Sequence, residues 1–156
     1  DFRRAAVMLD RVLLRRMEME DLHSVLKNER KAYRFPWTEG IFKSCLCNGD
    51  ECWILLEKKI LGHAVLSFAA REAHLLNLCI HPDHQNQGLG KQVLDHVLSV
   101  AKRKGALSIF LEVRASNVAA VSLYESTGFN EIGRRTGYYP GVTNREDAIV
   151  LGKELL

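Results

Sequence analysis

The feature that most constrains this chain is a buried strand that passes into a long helix through two glycines. Leu75 to Ile80 is apolar at every position but Asn77, the pattern of a central strand covered on both faces. His81-Pro82-Asp83 ends it. From Gly88 to Lys104 the residues Leu89, Val93, Leu94, Val97, Leu98 and Ala101 form one apolar stripe at helical spacing, and Gly105 stands where a helix C-cap belongs. The junction is Gln85-Asn86-Gln87-Gly88-Leu89-Gly90-Lys91. Its glycines let the backbone approach a ligand closely, and the first helical turn offers unpaired N–H groups and the positive end of the dipole, which suits a pyrophosphate. Lys91 adds charge. A tight turn with no ligand explains the glycines equally well. The spacing is not that of a Walker loop, nor is it a dinucleotide fingerprint, because no βαβ unit with a following acid begins here.

The rest of the chain supplies the layers around this strand. Val12 to Arg16 predicts a short strand, and Asp21 to Ala32, with Leu22, Val25 and Leu26 at helical spacing, a helix. Phe35-Pro36-Trp37 breaks it, since Pro36 disfavours helix at Phe35, and Thr38 is placed to cap a second helix through Cys47. Cys52 to Glu57 and Ile60 to Ala70 form a hairpin about Lys58-Lys59. Beyond the long helix, Ser108 to Val113 is a second central strand and Asn117 to Ser126 a short helix, with Gly128 just past its end. Phe129 to Gly133 and Asp147 to Leu151 are the last strands. The order is β-α-α-β-β-β-α-β-α-β-β, an α/β mixed sheet with helices on both faces rather than a repeated βαβ array.

At 156 residues the expectation is a single domain over 1–156, with 1–11 as a basic lead-in carrying Arg3, Arg4 and Arg11. A net charge of +3 is too small to suggest direct nucleic-acid binding. No apolar run reaches membrane-spanning length, and no stretch with a small-residue cleavage site follows the arginines, so neither a membrane span nor a secretory signal is expected. Cys45, Cys47, Cys52 and Cys79 have no fourth ligand at finger-like spacing, and His63, His74, His81 and His84 form no metal-ligand pattern. No metal is therefore expected, and free thiols fit a reducing cytoplasm.

Two side chains invite a chemical reading. Glu112 interrupts the apolar run Ile109, Phe110, Leu111, Val113, where a carboxylate is costly unless it is paired or faces a wet cleft; Arg114 is a candidate partner. Tyr124 in the following helix is by itself more consistent with a core ring whose hydroxyl reaches the rim, and Asn117 with an N-cap. Cys79, in a buried strand with no histidine beside it in sequence, fits an inert thiol better than a nucleophile.

Gln85-x-x-Gly88-x-Gly90 resembles the acetyl-CoA pyrophosphate motif of the GNAT acetyltransferase superfamily, and the element order matches as well. Phe35-Pro36-Trp37, Leu111-Glu112-Val113-Arg114-Ala115-Ser116-Asn117, Leu123-Tyr124-Glu125-Ser126-x-Gly128-Phe129, Tyr138-Tyr139-Pro140 and Arg145-Glu146-Asp147-Ala148 are similar to its RimI branch, bacterial enzymes that acetylate the N-terminal alanine of a small-subunit ribosomal protein. The likeness runs from about Arg15 to Leu151.

That resemblance implies the GNAT fold, acetyl-CoA as co-substrate, Glu112 as general base and Tyr124 as general acid. It implies that the backbone of Leu78, Cys79 and Ile80 holds the pantetheine arm, that Gln85, Asn86, Gln87, Gly88, Leu89, Gly90 and Lys91 wrap the pyrophosphate, and that Asn117 touches the cofactor. The acceptor, a protein N-terminus, would lie between the loops Tyr33 to Thr38 and Thr136 to Arg145, against Phe35, Trp37, Tyr138 and Tyr139. Those aromatics could equally staple the loops to the body. The expectation is a cytoplasmic enzyme, a monomer or weak dimer, with a ribosomal protein as partner. Two other readings stay open: the same fold acting on a lysine, polyamine or small-molecule amine, and a non-catalytic acyl-CoA-binding module.

Overall fold

The computed structural model describes residues 6–9 and 12–156. Arg3, Arg4 and Arg11 of the basic lead-in lie outside them. The elements are β1 (Ala6–Leu9), β2 (Val12–Arg16), α1 (Leu22–Ala32), α2 (Glu39–Cys47), β3 (Glu51–Leu56), β4 (Ile60–Ala69), β5 (Glu72–Ile80), α3 (Leu89–Arg103), β6 (Ser108–Arg114), α4 (Val118–Ser126), β7 (Asn130–Tyr139) and β8 (Glu146–Glu154). After β1, an added strand inside the expected lead-in, the order is the one the sequence predicts. Two compact units account for the chain: residues 1–67 with 77–97, and residues 68–76 with 98–156. No helix among the described residues is long and apolar enough to cross a membrane.

In the first unit β1, β2, β3 and β4 pair antiparallel in that order, with β5 beside β4. The register sets the two faces. Ile54 pairs with His63 and Trp53 with Ala64, so these pairs point to opposite sides. Glu29 of α1 and Phe42 of α2 meet His63, whereas His96 of α3 meets Trp53, with ring centroids 4.3 Å apart. Helices therefore cover both faces, and β3 reads as a continuous buried run. Thr38 caps α2 by accepting a hydrogen bond from the Ile41 amide. Phe42 is fully buried, and its burial contributes about 1.5–3 kcal/mol.

In the second unit β5 pairs parallel with β6, β6 antiparallel with β8, and β8 antiparallel with β7. The parallel pair needs a crossover, and α3 supplies it. Ile109, Leu111 and Val113 of β6 are buried, while Ser108, Phe110, Glu112 and Arg114 alternate with them on a half-open face. β7 runs to Tyr139, with register shifts between Glu131 and Gly133 and between Arg135 and Tyr139. Tyr138 and Tyr139 therefore end a strand rather than sit in the loop the sequence predicts, because antiparallel pairing with β8 continues to Glu146.

Candidate active site

Alternation along β6 explains how a carboxylate stands in an apolar run: Glu112 belongs to the half-open face, and its side chain keeps 12% of its exposure. Its partners are not the expected one. Nε2 of His74 lies 2.5 Å from Oε2 of Glu112, and Nε of Arg135 lies 3.6 Å from Oε1. Arg114 turns instead to Glu146, 3.0 Å away, donates 2.7 Å to the carbonyl of Pro140, and stacks its guanidinium 4.5 Å from the Tyr139 ring centre. Glu146 also accepts from the Ser116 amide at 2.7 Å; that contact and Arg114 hold its carboxyl below the usual range. The β7–β8 connection is tied further by Gly137 N–H to Asp147 and by Arg145 to the carbonyls of Gly137 and Tyr138. Burial pushes the Tyr139 phenol up to about 12, and neighbouring Tyr138 and Glu112 add to it.

Tyr124 is buried on α4, its ring packed edge-on against Phe129 at 5.6 Å. Burial pushes its phenol up. Asn117 caps α4 through Oδ1, which accepts from the Ala120 amide at 3.2 Å.

In the first unit, the carbonyl of Leu78 accepts from the Tyr33 hydroxyl and that of Ile80 from Gln85 Nε2 at 3.0 Å. Asn86 and Gly88 both take positive φ, 61° and 79°, and a Cβ built on Gly88 meets nothing within 4 Å. This open, left-handed approach to the first turn of α3 leaves room for a phosphate against the helix N–H groups, so the segment fits the pyrophosphate of acetyl-CoA. Lys91 is drawn into an exposed pair with Asp95 at 2.8 Å, which contributes little to stability. Phe35 is exposed. Trp37 packs on Phe42 at 5.1 Å, which favours the stapling role for that ring.

Sequence reasoning missed Glu29. Leu22, Val25, Leu26 and Glu29 share one helical stripe, and that spacing is the signal that places the carboxylate in the core. It accepts from the Trp37 amide at 3.0 Å, from Asn77 at 3.2 Å and from His63 at 2.9 Å. Together Glu29, His63 and Cys79 bring three ligand-type atoms within 4.8 Å of one another, a grouping that spacing in sequence does not suggest. Glu29 already has three hydrogen-bond donors within the chain, and burial pushes the Cys79 thiol up.

The chain belongs to the acetyltransferase (GNAT) family, whose profile matches residues 14–129, and is thereby an acetyl-CoA-dependent N-acetyltransferase. Within that family it is RimI-like. It is 40% identical over 139 residues to the ribosomal protein bS18-alanine N-acetyltransferase of Escherichia coli (strain K12), covering 86% of this chain and 92% of that one. A putative enzyme of the same description from Bacillus subtilis (strain 168) is 29% identical over 92% of this chain and 96% of its own. The crystal structure of the ribosomal-protein-S18-alanine N-acetyltransferase from Escherichia coli matches at a TM-score of 0.87 with 37% identity, covering 92% of this chain and 94% of that one.

Proposed function

We propose that this enzyme acetylates the N-terminal α-amino group of a protein, with the N-terminal alanine of ribosomal protein bS18 as its acceptor. The amine nitrogen forms a bond to the thioester carbonyl carbon and the carbon–sulfur bond breaks. Glu112 takes the amine proton, directly or through one water, and Tyr124 gives its proton to the departing sulfur. The products are an N-terminal amide and free CoA. A thioester is already activated, so the protein supplies a neutral amine, placement and stabilisation of the developing oxyanion. An α-amino group titrates near about 8 and a lysine near about 10.4, so a carboxylate base suits the former better.

Leu78, Cys79 and Ile80 would run along the pantetheine arm, with Gln85, Asn86, Gln87, Gly88, Leu89, Gly90 and Lys91 about the pyrophosphate. Asn117 would reach the cofactor beside its capping bond. Phe35, Trp37, Tyr138 and Tyr139 would contact the acceptor. The observation that carries this reading is the placement of Glu112, a largely buried carboxylate on the half-open face of β6, in a chain 40% identical to an enzyme of that printed activity. The test mixes the protein with acetyl-CoA and a peptide beginning with alanine, against an N-terminally blocked peptide carrying lysine, and follows thiol release and peptide mass. One acetyl group on the free N-terminus alone is expected. Acetylation of the lysine peptide alone would replace this acceptor class.

A further inference from the structure

We infer that His74 is a positioning residue that holds the Glu112 carboxylate in its working orientation, an inference that rests on Glu112 being the base. β5 and β6 run parallel with His74 opposite Phe110, so the imidazole reaches along the half-open face to the carboxylate two residues further on. The separation is 2.5 Å, and since a carboxylate has no proton to give, the ring Nε2–H donates to Oε2. The last torsion of a glutamate is broad and shallow, so a carboxylate without such a partner sweeps through many orientations. His74 removes that freedom.

The neighbouring groups agree with this role. Arg135, arriving from β7, stands 3.6 Å from the other oxygen, too far for a hydrogen bond but within ion-pair reach. Burial raises the Tyr139 phenol and the charge of Glu112 adds to it, while Arg114 pairs with Glu146 at 3.0 Å. The His74 side chain is 40% exposed and that of Glu112 12%, so the imidazole stands on the solvent side of the carboxylate. Sequence spacing assigns His74 nothing, because its partner lies 38 residues away.

The test is steady-state kinetics on His74→Leu, His74→Gln, Glu112→Gln and the Leu/Gln double variant, with thermal unfolding of each. His74→Leu is expected to lower kcat about tenfold with the KM for acetyl-CoA unchanged. His74→Gln, whose amide N–H can donate to the same oxygen, should recover most of that loss. In the Glu112→Gln background the His74→Leu change should cost nothing more, because it acts through the carboxylate. Should His74→Leu not fold, His74→Asn, with too short an amide, takes its place. Full activity in His74→Leu beside a slow Glu112→Gln overturns the role of His74 and leaves the base standing. So does equal damage in both backgrounds, or a His74→Gln no better than His74→Leu. Full activity in Glu112→Gln removes the reading underneath.

Discussion

Two carboxylate–histidine pairs, one in each compact unit, differ more in setting than in contact. Glu29 and His63 meet at 2.9 Å with side chains 2% and 0% exposed, whereas Glu112 and His74 meet at 2.5 Å with side chains 12% and 40% exposed. The first pair is sealed among Trp37, Phe42, Asn77 and Cys79 and holds elements together. The second sits on the half-open face of β6, in reach of solvent. The lesson is that two pairs of the same residue types with similar contacts are told apart by their access to water, 2% and 0% exposed in one and 12% and 40% in the other.

The largest separation should come from the open pair. Glu112→Gln is expected to slow turnover by about 100- to 10,000-fold, the usual contribution of a positioned base, while leaving the melting temperature within a few degrees. A variant with full turnover would erase the contrast. In the sealed pair the effects should reverse: Glu29→Leu strands buried donors on Trp37, Asn77 and His63 and should cost about 3–5 kcal/mol. For a domain of this size that lowers the melting temperature by about 10 °C. Calorimetry decides it, and a loss of kcat without destabilisation would mean that the sealed pair is chemical after all.

Tyr124→Phe sharpens the comparison from the acid side. It keeps the ring packing on Phe129, so about a 10- to 100-fold drop in kcat with unchanged stability is expected. The smallest effect should be electrostatic. The Glu146 carboxyl is held below its ordinary 4.5 by Ser116 and Arg114, so its contribution to stability is present above that value and is lost as pH falls through its lowered folded-state value. Urea unfolding of Glu146→Gln should show a modest deficit at pH 7 that shrinks as pH falls below the ordinary 4.5. A gap that widened toward acid would contradict this sign.

Much of the frame was legible in the chain. Period-3.6 stripes, a Pro36 break, a Thr38 cap and doubly apolar strands all report local chemistry, and local chemistry precedes assembly. Glu112 stood out for the same reason, as a charge in an apolar run. The partner of Glu112 was harder to see. Arg114 is its same-face neighbour along β6, yet the fold hands that arginine to Glu146 and Tyr139 and brings His74 and Arg135 to the carboxylate. Likewise Tyr138 and Tyr139 look like loop residues beside Gly137 and Pro140, but pairing with β8 extends β7 through them.

The sequence alone therefore determined the elements after β1, their order, the glycine-lined entry to α3 and the suspicion attached to Glu112, because periodicity, caps and turn residues act over a few positions; the chemical reading of Tyr124 came from the family resemblance. Tertiary structure decided which donors meet which carboxylate, and so which of two similar pairs is sealed and which is open. Those contacts span 34 residues for His63 with Glu29 and 38 for His74 with Glu112; packing of α1 on β4 makes the first and the register of β5 with β6 the second, and neither is written in spacing along the chain.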